Sequence, residues 1–124
     1  MTDKMKKSPD DLAAALQRLF TAFTAAPKRG YESPEDWENG DTGIKVPVAY
    51  ALWSNPEDSV PMYVGQTTSL GHRLWTHFKR DWGNPMPTHV SFLDAAELGD
   101  PGLLSAFEHF LIAIWEPRFN DLVR

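Results

Sequence analysis

The sequence predicts an α/β domain, and three observations carry that prediction. Short apolar segments with partial alternation occur at residues 44–53, 60–64 and 88–93. Apolar residues at three- and four-residue spacing occur at 12–26, 70–80 and 103–114. Breaks rich in proline, glycine, asparagine and aspartate separate the segments. At 124 residues the chain has room for one domain with a real core.

The first helix is signalled by Ser8-Pro9-Asp10-Asp11: a cap, a proline at the first helical position, then acids near the positive dipole end. Leu12, Leu16, Leu19, Phe20 and Phe23 form one apolar stripe, which packs this helix on the domain. Pro27 and Gly30 end it near Ala26. Residues 31–43 are rich in Pro, Gly and acids, with a short turn from Ser33-Pro34-Glu35-Asp36, and read as a solvated loop. In the first strand Val46, Val48, Tyr50 and Leu52 share a face, with Pro47 near its start or on an edge. The turn cluster Ser54-Asn55-Pro56-Glu57-Asp58-Ser59 reverses the chain, and residues 60–64 return as the second strand of a hairpin.

Gly65 is expected to break that strand, and Thr67-Thr68-Ser69 offers caps for the helix at 70–80. A connector from Asp81 to Pro87 leads to a third strand, where His89 and Ser91 alternate against Val90 and Phe92. An acidic turn at 94–100 and an Asp100-Pro101 cap open the last helix. That helix is built on Leu103, Leu104, Phe107, Phe110, Leu111 and Ile114, and Pro117 stops it.

Hydrophobic residues make up 42% of the chain, which sets it apart from disordered sequences. No apolar run approaches the length of a membrane span, and Met1 to Lys7 leads into no apolar signal region, so the expected location is cytoplasmic. With 0 cysteines there is no disulfide framework, thiolate nucleophile or cysteine-ligated zinc. The net charge of -5 sits in one place: Glu32, Glu35, Asp36, Glu38 and Asp41 account for all of it. The helix at 70–80 is locally basic, with Arg73, Lys79 and Arg80 against Asp81. Local potential is what a phosphate backbone meets first, so the acidity disfavours tight nonspecific binding but not a phosphate-handling site.

The chemistry concentrates between Met62 and His77. A strand entering a helix through Gly65-Gln66-Thr67-Thr68 sets the Tyr63 hydroxyl beside a helix N-terminus. Arg73 and His77, at i and i+4, share a face of that helix. A phenol, a guanidinium and an imidazole gathered there suit the handling of a phosphate. Glu108 lies inside an otherwise apolar helix, where an unpaired carboxylate is costly.

Together these residues resemble the GIY-YIG nuclease family. Its first signature falls on Val48-Ala49-Tyr50, with Val-Ala in place of Gly-Ile, and its second on Tyr63-Val64-Gly65. Leu70, Arg73 and His77 follow in the family's order. Glu108 matches the acid of its later helix, and Pro117 to Asn120 matches its Pro-x-x-Asn ending. The likeness divides the chain into an N-terminal helix and acidic-loop extension, residues 1–43, and a nuclease-like domain, residues 44–124. It implies a small three-stranded antiparallel sheet flanked by helices, with that extra N-terminal helix.

The resemblance also implies a metal-dependent endonuclease that hydrolyses DNA phosphodiester bonds. In that role Glu108 binds Mg²⁺ or Mn²⁺; magnesium suits a lone carboxylate because it keeps most of its waters. Arg73 holds the scissile phosphate through its planar fork of donors. Tyr50 and Tyr63 orient the water or accept its proton. A free phenol titrates near ~10 and needs lowering to act as a base, so which tyrosine serves stays open. His77 hydrogen-bonds the phosphate or a tyrosine, and Asn120 orients the site or ties down the C-terminal turn. Gln66, Thr67, Lys79 and Arg80 are candidate substrate contacts around them, while His72, His89 and His109 match nothing in the motif and read as structural. RNA as substrate, a homodimer for cutting both strands, and a protein inhibitor are compatible with the same residues. A different class of function is a GIY-YIG-like nucleic-acid or protein-binding module without cleavage, favoured by the altered first motif and the acidic loop.

Overall fold

The computed structural model describes residues 9–30, 47–83, 85–94 and 102–120. Helix α1 (Pro9–Thr24) leads to a short strand β1 (Arg29–Gly30) and then to the hairpin strands β2 (Val48–Trp53) and β3 (Tyr63–Thr67). Helix α2 (Leu70–Phe78), strand β4 (His89–Asp94) and helix α3 (Leu103–Trp115) complete the order. The expected cap Ser8, the acidic loop, residues 44–46 of the expected strand and the Asp100-Pro101 cap lie outside the described residues. Among the described residues no helix is long and apolar enough to cross a membrane.

The strands form one antiparallel sheet in the order β1-β4-β2-β3. The expected count of three strands is thereby corrected to four. The added strand is β1, in which Arg29 pairs with Val90 and Gly30 with His89. Two exposed residues carry no alternation and no apolar run, so there is no periodic signal by which to see them.

Strand β2 is central and buried along its whole length. Val48, Tyr50 and Leu52 face one core with Leu70 and Leu74 of α2, Trp82 and Phe119. Ala49, Ala51 and Trp53 face the other, with Leu19 and Phe23 of α1 and Phe107 and Leu111 of α3. The second core is closed by aromatic edges: Phe23 meets Phe107 at 5.6 Å and Phe20 meets Phe110 at 6.0 Å, both T-shaped. Helix α1 is therefore built into the same core as α3.

The position of Gly65 differs from expectation in an informative way. Strand β3 runs through it rather than breaking there. Gly65 is paired directly with Tyr50 across the hairpin. A Cβ at this position would lie 2.7 Å from both Cζ and Oη of Tyr50. The missing side chain seats the Tyr50 ring over β3.

Helix α2 stops at Phe78, and the Trp82 indole N–H donates to the His77 carbonyl at 2.8 Å. That bond satisfies one of the carbonyls left open at a helix C-terminus. At its other end Ser69 is the N-cap but makes no side-chain cap bond; its own N–H donates to Thr67 Oγ1 at 3.1 Å.

Strand β3 is an edge of the sheet, and the C-terminal turn covers part of that edge. Asn120 Oδ1 accepts the Val64 N–H and its Nδ2 donates to the Val64 carbonyl, both at 2.8 Å. Phe119 N–H donates to the Met62 carbonyl at 3.1 Å. Asn120→Ala should cost about 2 kcal/mol, because it strands both polar groups of a buried residue. Urea unfolding checks this, and a variant with an unchanged midpoint would mean that solvent replaces the amide.

Candidate active site

Tyr50 projects from the central strand toward α2 and is 1% exposed. Its hydroxyl lies 2.7 Å from Nε2 of His77, which α2 presents from its last turn. The half-buried Tyr63, on the neighbouring strand, completes the group. Its ring centroid lies 4.8 Å from His77 and 6.1 Å from Tyr50. Trp82 backs the cluster at 5.5 Å from His77 and 6.1 Å from Tyr63. Two phenols and an imidazole thus share one aromatic nest between β2, β3 and α2.

Burial and neighbouring charge fix the protonation of the pair. Burial pushes the His77 imidazole down to about 4, and the Arg73 and Arg80 guanidiniums push the same way. Burial raises Tyr50 well above the usual phenol range, Tyr63 adds to the rise, Arg73 opposes it and Glu108 adds further. At neutral pH a neutral imidazole therefore faces a protonated phenol. The direction of their hydrogen bond depends on which imidazole nitrogen carries the proton.

This has a consequence for stability. Between about 4 and the unperturbed value near 6.5, the unfolded chain holds a proton at His77 that the folded chain does not. Folding stability therefore falls as the pH drops through that window. The contribution is about 2 kcal/mol between roughly pH 7 and 5. Urea unfolding at both pH values should register it, and His77→Gln, which cannot titrate, should lose most of the slope. An equal slope in the variant would assign the acid sensitivity to other groups.

Glu108 is half-buried on α3, and Gln66 of β3 donates from Nε2 to its Oε1 at 2.7 Å. Gln66 lies on the same face of β3 as Val64, so this contact sits on the α3 side of the sheet, while the tyrosine–histidine nest sits on the α2 side. The carboxylate still acts electrostatically on Tyr50. Among the described residues no three His, Cys, Asp or Glu side chains gather around a common point. A divalent cation would rest on Glu108 alone, with waters filling its shell, which is a donor set that magnesium accepts.

The remaining candidates separate by placement. Arg73 is exposed on α2, with its charge felt at both Tyr50 and His77. Arg80 stacks on Trp82, with Cζ 4.1 Å from the ring centroid. Lys79 lies over Trp75 at 5.3 Å, on the far flank of α2. Thr67 is turned to the Ser69 N–H, Gln66 to Glu108, and both ends of the Asn120 amide to Val64. Of the other histidines, His109 bonds to the Ser105 carbonyl and His89 to the Thr88 hydroxyl, both at 2.8 Å. Trp82 was not among the residues expected at the site, although an indole inside a Gly-, Asn- and Pro-rich connector is the type of residue that needs an anchor.

No protein-family model matches the chain, and a search of curated proteins finds no match to it.

Proposed function

We propose that the protein is a metal-dependent endonuclease that hydrolyses DNA phosphodiester bonds. The observation that carries this reading is the Tyr50–His77 contact at 2.7 Å, with Tyr63 against it and the Arg73 charge reaching both groups. Hydrolysis needs a proton acceptor near an anion site, and this arrangement supplies both.

In this reading Arg73 binds the scissile phosphate, its in-plane donors matching two phosphate oxygens. Tyr63, the more exposed phenol, orients the attacking water. As the water oxygen bonds to phosphorus, its proton passes to the Tyr63 oxygen, the Tyr63 proton to the buried Tyr50 oxygen and the Tyr50 proton to His77 Nε2. Tyr50 then never has to exist as a free phenolate, which its burial strongly disfavours. The bond from phosphorus to the leaving oxygen breaks in the same displacement, and that oxygen takes a proton from solvent. Glu108 would hold Mg²⁺ or Mn²⁺, which when bound supplies charge stabilisation to the phosphoryl oxygens. Asn120 acts as a positioning residue through Val64, next to Tyr63.

Plasmid nicking by the purified protein in Mg²⁺ or Mn²⁺, beside Glu108→Ala, tests the reading. Metal-dependent cleavage that disappears in the variant supports it. Binding of DNA by both proteins without cleavage by either would replace it with a non-cleaving nucleic-acid-binding module.

A further inference from the structure

We infer that Arg80 and Arg118 form a second phosphate-binding subsite, one that holds the DNA strand beside the scissile phosphate. This rests on the nuclease reading; Arg80 is already a candidate substrate contact, and the subsite adds Arg118 and the pairing of the two. The two guanidiniums come from separate segments, one just after α2 and one in the C-terminal turn, and converge on one aromatic ridge. Arg80 Cζ lies 4.1 Å from the Trp82 ring centroid and 5.5 Å from that of Phe119. Arg118 Cζ lies 5.1 Å from the same Phe119 ring. Trp82 and Phe119 lock each other edge to face at 4.9 Å, so the ridge is rigid.

Stacking occupies the face of a guanidinium and leaves its five N–H donors pointing outward in the plane. Among the described residues neither arginine forms an ion pair with a carboxylate or donates a side-chain hydrogen bond. Two like charges held on one ring repel each other, and a shared anion removes that cost. The ridge is continuous with the nest, since Trp82 also touches His77 and Tyr63. The effect of the Arg80 charge on His77 reflects the same proximity. Arg73 then takes the scissile phosphate and the Arg80–Arg118 pair a neighbouring phosphate on the same strand.

The test is equilibrium binding of a fluorescein-labelled DNA duplex in EDTA, where nothing is cut, across a series of KCl concentrations. Wild-type protein is compared with Arg80→Ala, Arg118→Ala and Arg118→Lys. Each alanine variant should bind severalfold more weakly, with the slope of log K against log salt reduced by about one. Arg118→Lys should keep the slope, since the charge remains. Far-UV circular dichroism verifies folding, and Arg118, being exposed, is the variant expected to fold normally in every case. Wild-type slope and affinity in both alanine variants would overturn the subsite and leave the nuclease reading standing. Absence of DNA binding by the wild-type protein in EDTA would overturn the subsite, whereas the nuclease reading falls only if plasmid nicking in Mg²⁺ or Mn²⁺ also fails.

Discussion

Gly65→Ala should destabilise the protein by roughly 3 kcal/mol or more, although alanine is ordinarily better than glycine inside a strand by about 0.5–1 kcal/mol. The sign is therefore diagnostic. The backbone at Gly65 is not the obstacle, because the positive φ among the described glycines belongs to Gly83. The obstacle is the Tyr50 ring, whose Cζ and Oη would each lie 2.7 Å from the new methyl. That ring cannot swing aside at low cost. It is 1% exposed, and its hydroxyl is held by His77. Moving it breaks the 2.7 Å bond and leaves the buried imidazole without that partner, which adds about 1–3 kcal/mol to the overpacking strain. Urea unfolding measures the loss as a lower midpoint at constant slope. In a Tyr50→Leu background the same Gly65→Ala change should cost far less, because the two positions are coupled. Equal penalties in both backgrounds would mean that the ring is not what the glycine accommodates.

The same pair illustrates what a linear reading can and cannot see. The three helices were legible from their apolar spacing, and β2 and β4 from short apolar runs between turn clusters, whereas β3, expected at 60–64, lies at Tyr63–Thr67. The two-residue strand β1 was not, since pairing with β4 is decided by the partner and not by its own side chains. Gly65 looked like a strand terminator because glycine usually is one, whereas its reason lies in the residue directly across the hairpin. Burial of β2 on both faces was likewise hidden. The alternation defined only the face of Val48, Tyr50 and Leu52, while Ala49 and Ala51 on the other face are covered by α1 and α3. Within the candidate site, the meeting of Tyr50, Tyr63 and His77 was expected from motif order. The partners of Gln66, Thr67 and Asn120 were not, because a side-chain amide or hydroxyl is equally suited to substrate, backbone or another side chain.

If the protein is the proposed nuclease, Glu108→Ala should lower DNA cleavage about a thousandfold or more, and Gln66→Ala should separate metal binding from the rest of the site. A bound cation contributes several kcal/mol of charge stabilisation, and each 1.4 kcal/mol is about a factor of ten in rate. Removing the carboxylate proposed to hold the cation would remove that contribution, and no metal concentration should restore it. Gln66 holds Glu108 through a single 2.7 Å bond to Oε1, so its loss leaves the carboxylate in place but free to rotate. Loss of a group that orients a metal ligand typically weakens metal binding or activity by about 10–100-fold. Cleavage by Gln66→Ala should therefore recover as Mn²⁺ is raised, with weaker Mn²⁺ binding measured directly by the electron paramagnetic resonance of the free ion. If the defect persisted at saturating Mn²⁺, Gln66 would be acting on the DNA as a substrate contact. If both variants cut like the wild type, the Gln66–Glu108 bond would be a strut between β3 and α3, and the cation would have to be held elsewhere. The amide is the useful probe here because it carries no charge, so its removal changes the orientation of the carboxylate while leaving its charge in place.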